Sequence, residues 1–142
     1  MPTLPENSLA AVERAGRSGF VIELDVKLSK DRRPVVMHDD LLDRTTTCTG
    51  TVGSKTLVQL RECRLDVLGT ETKTAPAPLP HERIPRLEEA LEVARTTNAR
   101  VNLEIKNLPI DSDYQPGSAY ADDVLEVVQA ARLPSRLLLI QS

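Results

Sequence analysis

No stretch of this sequence comes near the run of about 18 apolar residues that spans a bilayer, so a transmembrane segment is not expected. An excess of basic residues is also missing. The 18 Lys and Arg are outnumbered by 21 Asp and Glu, for a formal net charge of -3, which offers no electrostatic footprint for nucleic acid. Cysteine is scarce: Cys48 and Cys63 are too few and too far apart for a zinc knuckle or a disulfide framework. Both are expected to be plain small hydrophobes without redox meaning. Met1 to Asn7 lacks the charged and apolar regions of a signal peptide, and the expected compartment is the cytoplasm. There is no internal repeat and no low-complexity tract. What is present, 142 residues that are 40% apolar and 27% charged, is an ordinary globular composition for one domain.

Asn7 is placed to cap a helix that carries Leu9, Val12 and Ala15 on one face and closes between Gly16 and Gly19. Phe20 to Val26 is rich in branched apolar residues and reads as a strand. After a polar turn at Asp31 to Arg33, Pro34 to Met37 reads as a second short strand ending at His38. Asp39 to Lys55, rich in Thr and Gly, predicts an extended loop. Thr56 and Gln59 form a capping box for a short helix with Leu57 and Leu60 inside. Gly69 to Pro80 holds three prolines and predicts another loop. Leu87, Ala90, Leu91 and Ala94 fall at helical spacing, and Val101 to Ile105 alternates as a strand. Ala121, Val124, Leu125 and Val128 mark a last helix stopped before Pro134, and Leu137 to Ile140 reads as a buried strand. Strands separated by helices imply an α/β fold with parallel pairing.

Side chains alternate between the faces of a strand. That puts Glu23 and Asp25 opposite Ile22 and Leu24, and Asn102, Glu104 and Lys106 opposite Val101, Leu103 and Ile105. A parallel strand between helices is buried on both sides, where charges are costly unless paired or ligating a metal. Three carboxylates and an ammonium near strand ends suit a hard divalent cation and a phosphate. His38 follows an apolar strand, where a barrel places catalytic groups, and can move a proton near neutral pH. Each feature alone has a plainer reading: an edge strand with a solvated face, a weak surface ion pair of Glu104 with Lys106, a histidine satisfied in a turn. Their joint occurrence favours the site.

The same segments resemble a known family. Pro5-Glu6-Asn7-Ser8-Leu9-Ala10-Ala11, Ile22-Glu23-Leu24-Asp25-Val26, Pro34-Val35-Val36-Met37-His38-Asp39-Asp40 and Leu42-Asp43-Arg44-Thr45-Thr46 are similar to segments of the glycerophosphodiester phosphodiesterases. So are Arg83-Ile84-Pro85, Leu87-Glu88-Glu89-Ala90-Leu91 and Asn102-Leu103-Glu104-Ile105-Lys106, all in family order. The resemblance implies a (β/α)8 TIM barrel, here partial, with a small insertion after the strand ending at His38, approximately residues 39–80. It implies that residues 1–142 are an incomplete domain of that family. It further implies one divalent metal, Mg or Ca, held by Glu23, Asp25 and Glu104, with His38 as one of two catalytic histidines and Lys106 on the substrate phosphate. Glu6 belongs to the Pro-Glu-Asn segment; Arg44 is placed either to reach a substrate oxygen or to brace its loop.

One part of the family pattern is not in this sequence: a His-Arg-Gly segment just before Pro-Glu-Asn. His81, in a Pro-rich loop, is not expected to replace its histidine. A complete barrel needs about 250 residues, so barrel strands are expected to be lacking and the chain to be a weak enzyme on its own. The activity the resemblance implies is hydrolysis of a glycerophosphodiester to an alcohol and glycerol 3-phosphate. The alternatives are a related lipid phosphodiesterase of phospholipase D or C type, and a non-catalytic remnant that binds phosphate esters or a partner protein. Open barrel edges also predict self-association.

Overall fold

The computed structural model describes residues 4–65 and 83–142. Its strands are β1 (Ile22–Leu28), β2 (Pro34–Val36), β3 (Val101–Ile105) and β4 (Leu138–Gln141). Its helices are α1 (Leu9–Arg17), α2 (Leu57–Leu60), α3 (Leu87–Thr97) and α4 (Ala119–Ala131). The strands form one sheet in the order β2-β1-β3-β4. β1, β3 and β4 run parallel, with Ile22 opposite Val101 and Val101 opposite Leu138. The chain passes through α4 between β3 and β4, the crossover that parallel strands require. This is the α/β fold with parallel pairing that the alternation of elements predicts, and it is consistent with the partial barrel that the resemblance implies.

Parallel pairing is not complete. β2 runs antiparallel to β1, with Leu28 opposite Pro34, because the connection at residues 29–33 is a tight turn and leaves no room for a crossover helix. Arg32 turns the chain there with a φ of 58°, and Ser29 Oγ accepts from the Arg33 N–H at 2.9 Å. β1 also runs two residues beyond the expected Val26, so Lys27 and Leu28 belong to it.

The period-two pattern sorts the sheet's faces as expected. Ile22, Leu24, Val26 and Leu28 of β1, with Val101, Leu103 and Ile105 of β3, pack on Leu87, Ala90, Leu91 and Ala94 of α3 and on Tyr120 and Val124 of α4. Burying a large aliphatic side chain contributes about 1.5–3 kcal/mol, so this layer holds the helices to the sheet. Glu23, Asp25, Lys27, Asn102 and Glu104 are left to the other face.

Two sequence expectations need correction here. Asn7 is not the cap of α1: it has a φ of 57°, and Ser8 accepts the Ala11 N–H at 3.1 Å instead. Nor are Cys48 and Cys63 separate small hydrophobes; they form a disulfide. Thr46 bridges Leu65 antiparallel, and the Thr47 N–H donates to the Arg64 carbonyl. Continuing that register by two residues puts Cys48 opposite Cys63, with Cα atoms 5.4 Å apart, inside the range a disulfide needs. The pairing depends on a fold of the loop that spacing alone does not reveal. The bond lies in a satellite core beneath the loop after β2, formed with Val35, Met37, Leu42, Val52, Leu60 and Ile84.

The capping box of α2 and the buried stripe of α3 are as predicted. β4 is half exposed rather than buried, with Leu139 at 62%. The expectations for Gly69 to Pro80 and for His81 lie outside the described residues. No helix among the described residues is long and apolar enough to cross a membrane.

Candidate active site

Because β1 and β3 are adjacent and in register, Glu23 lies across from Asn102 and Asp25 across from Glu104. The strands' alternation then does the rest: Glu23, Asp25 and Glu104 each bring a carboxylate oxygen within 4.8 Å of the others. Lys106, just beyond β3, sets its Nζ 3.3 Å from Asp25 Oδ1 and 3.8 Å from Glu104 Oε1. The 3.3 Å approach is an ion-pair distance without hydrogen-bond alignment, and Asp25 Oδ1 is buried with no hydrogen-bond donor. Burial first, and then repulsion by Asp25 and Glu104, raises the pKa of Glu23. A crowded acidic cluster with an orphaned, buried oxygen and only hard oxygen donors fits a divalent cation.

The Met37 N–H donates to the Asp25 carbonyl at 3.0 Å, which extends the β1–β2 ladder and sets His38 just past Asp25. His38 is close enough to count among the charges that act on Glu23. Its Nδ1 lies 2.6 Å from Asp39 Oδ1. Arg44 donates to both oxygens of Asp39, from Nε at 2.6 Å and Nη2 at 3.1 Å. Those bonds to Arg44 are the main reason the Asp39 carboxyl titrates at about 2. An ionised Asp39 can only accept, so Nδ1 carries the hydrogen and neutral His38 keeps its lone pair on Nε2. Arg44 also holds Glu6, with bonds of 2.7 and 3.1 Å. Arg44 thus links Asp39 of its own loop to Glu6 near the start of the chain.

A second set of charges escaped the sequence reading. Lys27, 1% exposed, pairs with Asp111 and lies 3.5 Å from Asp113, also buried. Asp113 Oδ2 accepts from the Leu28 N–H and from the Tyr120 hydroxyl, each at 2.7 Å. This buried cluster fastens the β3–α4 loop to the end of β1. Lys27 simply continues the Glu23–Asp25 alternation, so the signal was there once the strand is allowed its full length. The same loop meets the segment after His38: Asp40 Oδ1 accepts from the N–H and hydroxyl of Ser112 at 3.0 and 2.5 Å, and the Gly53 N–H donates to Ser112 Oγ at 2.9 Å. No local pattern announces that latch.

A parallel sheet with helices packed on one face, and on the other the carboxylates of Glu23, Asp25 and Glu104 beside Lys106, fits the layout of a barrel enzyme. The chain belongs to the glycerophosphoryl diester phosphodiesterase family, whose profile matches residues 2–142. It is 39% identical over 105 residues to a glycerophosphodiester phosphodiesterase of Caldanaerobacter subterraneus, a match over 73% of this chain and 41% of that protein. Human glycerophosphodiester phosphodiesterase 1 is 34% identical over 103 residues, 72% of this chain and 30% of that one. A phosphodiesterase of Oleispira antarctica, solved in complex with the product sn-glycerol-3-phosphate, superposes with a TM-score of 0.75 at 33% identity. That match covers 96% of this chain and 51% of the other. The chain thus spans about half the length of these relatives, or less.

Proposed function

We propose that residues 1–142 are an incomplete phosphodiesterase domain, with its insertion at approximately 39–80, and that the whole protein hydrolyses glycerophosphodiesters to an alcohol and glycerol 3-phosphate. The observation that carries the reading is the meeting of Glu23, Asp25 and Glu104 within 4.8 Å, beside Lys106 and His38. The three carboxylates hold one Mg or Ca ion, which when bound supplies a Lewis acid for a phosphoryl oxygen. Lys106 offers the phosphate an ammonium with three donors. His38, oriented by Asp39, takes or returns a proton at Nε2. Glu6 and Arg44 act at one remove, by keeping Asp39 in place.

The alternative of a binding remnant draws on one observation: His38 is the one histidine among the described residues, whereas hydrolysis of this kind shares its proton transfers between a base and an acid. The assay that decides is turnover of glycerophosphodiesters with Mg or Ca by the 142-residue chain and by a chain extended to the length of the relatives. Weak or no turnover in the first and ready turnover in the second is expected. Inactivity of both favours binding alone, and a lysophospholipid panel separates phospholipase-type specificity. As for the compartment, the cytoplasm is where structural disulfides are rare, so the Cys48–Cys63 bond argues for an oxidising location. Thiol counting on protein from its native host settles it.

A further inference from the structure

On the inner face of β3, Asn102 sits one step below Glu104, and the ladder sets it opposite Glu23 of β1. Its Oδ1 is buried and has no hydrogen-bond partner. A buried acceptor without a donor is costly, and most such atoms in folded proteins find one. On the other side of the ladder its neighbour is Leu139, so packing on this inner face does not require an amide. The surrounding groups do not supply the donor. Glu23 and Glu104 only accept when ionised, and Lys106 is engaged 3.3 Å from Asp25 and 3.8 Å from Glu104. The position is made for a donor that arrives with a ligand.

From this juxtaposition we infer that Asn102 helps hold the cation, its amide oxygen accepting a hydrogen bond from a water of the cation's hydration shell. The inference rests on the metal reading above. Three carboxylates fill only part of a hard cation's shell of roughly six to eight oxygens, and Mg in particular keeps several waters. A water on a divalent ion is a polarised, strong donor. An amide orients that water without adding a fourth negative charge to Glu23, Asp25 and Glu104. Groups that orient a metal's ligands in this way are worth about 10- to 100-fold in affinity.

The test uses manganese(II) as probe, with the free ion read by paramagnetic resonance, on the 142-residue chain and three variants. Asn102→Leu removes the oxygen at similar volume. It should weaken manganese binding about 10- to 100-fold, while the thermal midpoint of the metal-free protein holds or rises because a buried orphan has gone. Asn102→Asp keeps an oxygen and should bind at least as tightly as the parent. Unchanged affinity in Asn102→Leu overturns the proposal. So does a lower metal-free midpoint, which would make the amide a structural group, or a loss in Asn102→Asp as large as in Asn102→Leu. Glu104→Gln guards the underlying reading: if the parent takes up no manganese, or Glu104→Gln takes it up equally well, the metal site itself falls.

Discussion

Asp39 accepts from Arg44 and His38 together, and the Arg44 bonds above all bring its carboxyl down to about 2 from an ordinary 3.8. A carboxyl whose folded pKa lies below its unfolded one stabilises the fold fully above the unfolded value, and that stability disappears as pH falls through the folded one. Asp39→Asn should therefore lower the denaturation midpoint at pH 6, and the gap to the parent should close as pH approaches 2. A gap that persists unchanged at pH 2 would sink the assignment. Lys27 gives a sharper case, since its side chain is 1% exposed between Asp111 and Asp113. Lys27→Met strands two carboxylates, a loss of about 3–5 kcal/mol by urea unfolding. Adding Asp111→Asn and Asp113→Asn should restore a large part of it; no recovery would mean that the ammonium mattered for its shape.

Among the elements, those with a period were legible and those made by long-range register were not. The stripe Leu87, Ala90, Leu91, Ala94 and the alternation in Val101 to Ile105 announce α3 and β3 because each residue's environment follows from its neighbours in sequence. Glu23, Asp25 and Glu104 were legible for the same reason, since alternation fixes their face and parallel pairing brings the faces together. The Cys48–Cys63 bond was hidden because it depends on Thr46 meeting Leu65, and the antiparallel pairing of β2 was not legible because a three-residue strand does not state its partner. The Asp40–Ser112–Gly53 latch joins segments far apart in sequence. A Cβ on Gly53 would lie 2.5 Å from the Ser112 backbone, so Gly53→Ala should push the two loops apart and lower the thermal midpoint. An unchanged midpoint would show that the loops yield without cost. Reduction of the disulfide, which closes a separation of 15 residues, should remove about 3 kcal/mol, measured as the shift in denaturant midpoint with and without reductant.

At the scale of the whole molecule, Leu139 on the sheet's inner face is 62% exposed, and Val21, just before β1, is 54% exposed. Apolar residues open on the face that a closed barrel fills with side chains make a sticky surface. The 142-residue chain alone is expected to self-associate in sedimentation velocity, with the associated fraction rising with concentration. Val21→Lys with Leu139→Lys should favour the monomer. If both proteins sediment alike, association runs through some other surface, or does not occur.

The hydroxyl of Tyr120, buried against Asp113 and the Val26 carbonyl, turns the protein into its own optical gauge. The sequence has no tryptophan and only two tyrosines, so phenolate absorbance can come from Tyr114 and Tyr120 alone. Burial, and then the Asp113 carboxylate, push the Tyr120 pKa well above 10.0. In alkali the phenolate step of Tyr120 should arrive together with the loss of circular dichroism, because above pH 10 the unfolded chain sheds a proton that the folded one keeps.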